Sequence, residues 1–136
     1  MKNKKILVDT SAWILSFKKT GPKKLQTFLK NGIDQNLILT TPLVILELLQ
    51  GCKTETEYIH LKSDLESLEI FSMENLSWEK LYRFGFMLRK KGITIPTMDI
   101  LIAFLDLESG SLLLHHDRHF RLIAKHSDLD ALDFLI

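Results

Sequence analysis

The chain has 136 residues, a formal net charge of +1 at pH 7, 46% hydrophobic residues and 26% charged residues. This composition is typical of a folded globular protein, and the near-neutral charge means that any contact with nucleic acid must come from local clusters. A single cysteine, Cys52, excludes an internal disulfide and a cysteine-rich zinc site. We expect one domain spanning residues 1–136 and, because no apolar run is long enough to span a membrane, a cytoplasmic protein.

The first predicted element is an apolar strand, Ile6–Val8, that ends on the carboxylate of Asp9. An unbroken apolar run is typical of a strand buried on both faces of a parallel sheet. Thr10 and Ser11 follow as candidate caps of a short helix over Ala12–Phe17. Asp9 should therefore lie at the carboxyl edge of the sheet, where open α/β sheets bind their ligands.

Helices and strands alternate in the next part of the chain. A helix is predicted over Lys23–Lys30 and should be closed by Asn31 and Gly32. A second short strand covers Leu37–Leu39. Thr41 then caps a leucine-rich helix with Pro42 at its first position, which is a favoured arrangement.

The alternation continues to the end of the chain. The remaining predicted elements are a helix over Thr54–Leu65, a strand over Leu68–Phe71, a helix over Asn75–Lys91, a helix capped by Thr97, a strand over Leu112–Leu114, a helix over Asp117–Lys125 and a closing strand over Ala131–Ile136. Alternating elements imply a parallel sheet covered by helices on both faces. The sequence thus predicts a three-layer α/β/α fold with a four- to five-stranded parallel sheet.

Four acidic residues accompany the buried segments. Asp9 ends the first strand and Asp117 follows the fourth after two residues, so right-handed crossovers place both on the same edge. Asp99 lies in the first turn of the helix that Thr97 is predicted to cap. Glu47 has apolar neighbours on every side, where a lone ionised carboxylate would cost several kcal/mol.

Each acid also has a purely structural interpretation. Asp99 and Asp117 suit helix N-termini, Asp9 suits a turn after a strand, and Glu47 suits a solvated stripe of its helix. Taken together, acids from four segments indicate one site, and gathered carboxylates need a cation to remain ionised. Hard oxygen ligands favour Mg²⁺ or Mn²⁺, and these ions assist phosphodiester hydrolysis.

Four segments of the chain together resemble a known family. They are LVDTS at Leu7–Ser11, the leucine-rich helix around Glu47, MDILIA at Met98–Ala103 and HHDRHF at His115–Phe120. These segments are similar to the acidic motifs of PIN-domain ribonucleases, in the same order and over nearly the whole chain. The small size resembles in particular the VapC type, the toxin of bacterial and archaeal toxin–antitoxin pairs.

This resemblance implies a metal-dependent endoribonuclease that leaves 5′-phosphate and 3′-hydroxyl ends on RNA. The implied catalytic residues, which would hold one or two Mg²⁺ or Mn²⁺ ions, are Asp9, Glu47, Asp99 and Asp117. Thr10 or Ser11 would steady a water or a ligand oxygen. The resemblance also implies a cognate antitoxin, whose C-terminal segment covers the acidic groove, and a homodimer of the toxin.

Three histidines surround the fourth acid. His115, His116 and His119 raise the alternative of a zinc site, but solvent-exposed or phosphate-contacting histidines fit the pattern better. Many members of the resembled family carry an acid at the position of His119. The sequence therefore leaves open whether this position supplies a fifth metal ligand.

Basic residues near the first and fourth acids are candidate RNA contacts. They are Lys18, Lys19 and Arg118. Three rival classes remain: a signalling receiver domain, a structure-specific DNA nuclease and a non-catalytic acidic-pocket interaction domain. A receiver domain fits poorly, because it needs paired acids directly after the first strand, and here Thr10 and Ser11 follow Asp9.

Overall fold

The computed structural model describes residues 4–134, and within them the strands form one sheet. The strands are β1 (Ile6–Val8), β2 (Ile38–Thr40), β3 (Glu69–Ile70), β4 (Leu112–His115) and β5 (Ala131–Asp133). All pairings are parallel, and the spatial order is β3-β2-β1-β4-β5. The predicted closing strand is confirmed over Ala131–Asp133; its last two predicted positions, Leu135 and Ile136, lie outside the described residues.

Seven helices connect and cover the strands in this part of the chain. They are α1 (Thr10–Phe17), α2 (Lys23–Asp34), α3 (Pro42–Gln50), α4 (Glu55–Glu66), α5 (Trp78–Lys90), α6 (Thr97–Ser109) and α7 (Arg118–Lys125). Right-handed crossovers place α1–α4 on one face of the sheet and α5–α7 on the other, in agreement with the contacts between helices. The predicted three-layer α/β/α fold is therefore confirmed.

The middle strand, β1, forms the centre of the core. Leu7 and Val8 have no exposed surface, and Leu7 aligns with Leu39 of β2 and Leu113 of β4. Such a strand needs apolar side chains on both faces because helices cover both faces of the sheet. The core fixes the position of β1, and with it the position of Asp9 at its end.

Two predicted helix caps are wrong. Asp9 itself caps α1, its side chain accepting from the Ser11 N–H, so Thr10 and Ser11 lie within the first turn. At α6, Pro96 is the last extended residue and its carbonyl accepts from the Asp99 N–H, so Thr97 is already helical. The predicted cap at Thr41 of α3 is confirmed.

The predicted end of α2 is also wrong, because the helix continues past Gly32 to Asp34. Gly32 is buried against β2, where an added Cβ would lie 2.6 Å from Cδ1 of Ile38. The glycine therefore permits close packing between helix and strand instead of ending the helix. Asn36, with a positive φ of 56°, makes the turn that follows.

Candidate metal centre

Asp9 and Asp117 lie at the topological switch point of the sheet. The chain runs outward from β1 through β2 to β3 and then returns to β4 on the other side of β1. Crevices at such points, outside the carboxyl ends of the strands, are the usual binding sites of open α/β sheets. Asp9 and Asp117 follow the two strands that flank this point, and the Asp9 N–H donates to the Leu114 carbonyl at 2.9 Å.

Asp9 is held by Ser11 and is only 4% exposed. Its Oδ2 accepts from the Ser11 N–H at 3.0 Å and from the Ser11 hydroxyl at 2.5 Å. The same hydroxyl accepts from the His116 N–H at 2.9 Å. Ser11 therefore fixes the Asp9 carboxylate and also ties the end of β1 to the loop after β4.

Burial and acidic neighbours both raise the pKa of Asp9. Burial raises the pKa of Asp9 from 3.8 to about 6, against the opposing effect of the Ser11 hydrogen bonds. The negative charges of Glu47 and Asp99 raise this pKa further. The charges of Glu47 on α3 and Asp99 on α6 therefore act on the carboxylate at the end of β1.

Glu47 lies one and a half turns into α3 and faces α1. The Thr10 hydroxyl donates to Glu47 Oε1 at 2.9 Å, and the pair is partly buried. The preceding residue, Leu46, is 55% exposed and marks the outer side of the helix. Glu47 is therefore turned toward the site by a hydrogen bond from the residue next to Asp9.

The fourth acid, Asp117, adjoins Asp99 and brings a histidine with it. Asp117 caps α7 by accepting from the His119 N–H at 2.9 Å through Oδ1. Nδ1 of His119 lies 2.8 Å from Asp99 Oδ2 and 3.4 Å from Asp117 Oδ1. One ligand atom from each of these three residues lies within 4.8 Å of the others. His119 is thus a member of the site rather than an exposed histidine.

Asp99 is partly buried between its neighbours. Burial raises the pKa of Asp99, the hydrogen bond from His119 lowers it, and the charge of Asp117 raises it again. Ligands about 2.0–2.2 Å from a shared ion lie up to about 4.4 Å apart, so small side-chain movements would let this group chelate a divalent cation. The donor set of carboxylates and one imidazole fits such an ion.

The acids at the edge of the sheet also stabilise the starts of helices, as the structural interpretation of each single acid predicts. Asp9 and Asp117 are N-caps, and Asp99 lies in the first turn of α6, where the helix dipole favours negative charge. Three helix N-termini therefore point toward the same edge of the sheet. The capping positions fix where the carboxylates lie, so the two interpretations do not compete.

The other two histidines differ from the sequence-based expectation. His115 is 1% exposed, its Nδ1 accepts from the Asp117 N–H at 3.1 Å, and burial lowers its pKa. The prediction of an exposed histidine is therefore wrong at this position. His116 is more exposed, and its Nδ1 lies 3.0 Å from Asp133 Oδ1. Neither belongs to the group around His119.

The candidate RNA contacts occupy different places. Lys18 and Lys19 are exposed beyond the C-terminal end of α1, a helix of eight residues and about 12 Å that begins beside Asp9. Their closeness to Asp9 in sequence suggested that both lysines lie beside the acids, but the length of α1 separates them from Asp9. Arg118 is exposed and directly follows Asp117 at the start of α7, beside the site.

The protein is a doubly wound α/β domain whose sheet has a group of acidic residues at its switch point, and part of this group could hold a cation. The model of the PIN domain family matches residues 6–126, and the chain belongs to this family. None of the helices in residues 4–134 is long and apolar enough to cross a membrane.

Two curated relatives match almost their whole length. A protein named VapC ribonuclease from Mycobacterium bovis is 29% identical over 137 residues, which covers 95% of this chain and 98% of the relative. Ribonuclease VapC11 from Mycobacterium tuberculosis gives the same values.

Solved structures of low sequence identity share the fold. A structure of VapBC2 from Rickettsia felis bound to a promoter DNA fragment has a TM-score of 0.77 at 20% identity and covers 93% of this chain and 96% of that chain. VapBC-1 from Haemophilus influenzae has a TM-score of 0.74 at 20% identity, covering 96% of this chain and 98% of that chain.

Proposed function

We propose that this protein is a metal-dependent endoribonuclease and the toxin of a toxin–antitoxin pair. The observation that carries the proposal is that ligand atoms of Asp99, Asp117 and His119 lie within 4.8 Å of one another, at the edge of the sheet where β1 ends in Asp9. The charges of Glu47 and Asp99 act on the Asp9 carboxylate. The ribonuclease names of the two mycobacterial relatives support RNA as the substrate. The cation is Mg²⁺ or Mn²⁺, because oxygen ligands dominate the site.

The residues that would hold the cation are Asp9, Glu47, Asp99 and Asp117. When bound, a divalent cation neutralises the gathered carboxylates, lowers the pKa of water and stabilises charge on a phosphodiester in hydrolysis.

Two hydroxyls position the acids. The Thr10 hydroxyl orients Glu47, and the Ser11 hydroxyl orients Asp9 while it accepts from the backbone after β4. Ligands held in this way need little rearrangement, which favours both binding and catalysis. Arg118, exposed beside Asp117, is the basic residue best placed to contact an RNA phosphate. Contacts from Lys18 and Lys19 stay predictions for RNA that extends along α1.

The comparison with solved structures also supports a protein partner for this chain. The matched structures from Rickettsia felis and Haemophilus influenzae are those of VapBC2 and VapBC-1. For this chain we propose a cognate antitoxin that covers the acidic edge, and a homodimer. Induced expression should arrest growth, and co-expression of the antitoxin encoded beside it should restore growth.

The central experiment compares two acids of the same helix. Asp99→Asn should abolish metal-dependent cleavage of RNA oligomers by the purified protein. Asp106→Asn is the matched control, because Asp106 is another acid of α6, which is buried two turns after Asp99 and accepts from the Ser111 hydroxyl at 2.6 Å. Undiminished cleavage by the Asp99 variant would refute the assignment. DNA oligomers of the same sequence test the alternative of a DNA nuclease, which predicts preferential cleavage of DNA.

A further inference from the structure

His119 differs in chemistry from the other members of the site. Its ring is partly buried, and Nδ1 is directed at Asp99 Oδ2 at 2.8 Å and Asp117 Oδ1 at 3.4 Å. Within residues 4–134, these three side chains form a group whose potential ligand atoms lie within 4.8 Å of one another. The group therefore offers an imidazole nitrogen together with carboxylate oxygens.

We propose that His119 is a nitrogen ligand of the cation held by Asp99 and Asp117, and that it makes the site prefer Mn²⁺ to Mg²⁺. The inference rests on the proposed function, since the cation is the one assigned there. Mg²⁺ demands hard oxygen ligands and keeps much of its water. Transition-metal ions bind mixed nitrogen and oxygen sites more tightly, and imidazole suits them better than it suits Mg²⁺.

The start of α7 fixes the ring for this role. The backbone N–H of His119 donates to Asp117 Oδ1, so the capping interaction that begins the helix also sets the position of the histidine. The ring nitrogen already faces the two carboxylates, which is the direction that a shared cation requires. Asp99 lies 20 residues earlier, so the packing of α6 against α7 brings the donors together.

A purely positioning role is the alternative. In that case His119 would keep its hydrogen bond to Asp99 when the cation binds, and would orient this carboxylate without touching the metal. The two roles differ in one spectroscopic property. A directly coordinated imidazole nitrogen couples strongly to the unpaired electrons of Mn²⁺, whereas a hydrogen-bonded imidazole outside the coordination shell does not.

The first test is pulsed EPR of the full chain loaded with substoichiometric Mn²⁺. The wild type and a His116→Gln control should show modulation from a directly coordinated nitrogen, because His116 lies outside the group and contacts Asp133. His119→Asp should bind Mn²⁺ and lose that modulation. Circular dichroism and thermal unfolding without metal establish that each variant is folded. Nitrogen coupling that persists in the His119 variant, or is missing from the wild type, would overturn the inference.

The second test measures selectivity by calorimetry with MnCl₂ and MgCl₂. Changes around a metal ligand typically alter affinity about 10–100-fold. Because His119→Asp replaces a nitrogen donor by a hard oxygen donor, which suits Mg²⁺, this loss should fall on Mn²⁺ and lower the preference for Mn²⁺ over Mg²⁺ by about tenfold. An unchanged preference would contradict the inference while leaving the proposed function intact. If Mn²⁺ binding survives Asp99→Asn with unchanged affinity, the proposed metal site itself fails, so the two failures are distinguishable.

Discussion

Asp9→Asn should stabilise the metal-free protein at neutral pH while abolishing RNA cleavage. Asp9 is 4% exposed, and burial and acidic neighbours raise its pKa to about 6. Relative to the unfolded chain, the folded protein therefore favours the protonated, uncharged carboxyl of Asp9. Asparagine is uncharged at every pH, is an equally good N-cap, and its carbonyl oxygen can accept from both Ser11 donors.

The size of the effect follows from the pKa. A rise from 3.8 to about 6 means that the ionised Asp9 costs the folded state about 3 kcal/mol. Between these pH values the folded state binds more protons than the unfolded state, so wild-type stability falls as the pH rises and is level above about pH 6. Allowing about 1 kcal/mol for an imperfectly paired amide, we expect a gain of about 1–3 kcal/mol at pH 7.5. The gain should largely vanish near pH 4.

Urea unfolding in the presence of EDTA measures this difference directly. Free energies of unfolding at pH 4.5 and pH 7.5 give the pH dependence of the effect of the substitution. Saturating Mg²⁺ or Mn²⁺ should then stabilise the wild type, by about 2.7 kcal/mol at one hundred times Kd, and should stabilise the variant much less. An effect of the substitution that is the same at both pH values would show that the negative charge of Asp9 is not its cause.

Three further substitutions test separate parts of the site and the fold. Thr10→Val removes the donor to Glu47 and should lower the rate of RNA cleavage about 10–100-fold, whereas Thr10→Ser should retain it. Ser11→Ala removes the hydroxyl that accepts from the His116 N–H, and urea unfolding should show a loss of about 1–2 kcal/mol. Asp106→Asn should raise the melting temperature at pH 8.5 but not at pH 5, because burial raises the pKa of this carboxyl to about 7. Unchanged melting at pH 8.5 would contradict that cause.

The sequence was most informative where local chemistry and topology agree. An apolar run followed by an acid predicts both β1 and the place of Asp9, because Ile6–Val8 is too short for a buried helix and residues that favour a helix start follow it directly. The order of elements then determines that Asp117 reaches the same edge, whatever the exact length of β4. Thr41 and Pro42 define the start of α3 for a similarly local reason.

Contacts between distant segments were beyond such reasoning. The family resemblance left a fifth ligand at the position of His119 open, but the contact of its ring with Asp99 depends on how α6 packs against α7. The burial of His115 likewise depends on its place at the end of β4, beside Phe120, rather than on its polar neighbours. Gly32 gave a helix-ending signal, but its contact with Ile38 on β2 explains it better.

Anomalous scattering from crystals soaked in MnCl₂ can show whether the four acids share a divalent cation. We expect a manganese peak at the carboxyl edge of β1 and β4, about 2.2 Å from carboxylate oxygens that include those of Asp9 and Asp99. A fully loaded crystal with no peak there, or with manganese bound only elsewhere, would contradict this expectation.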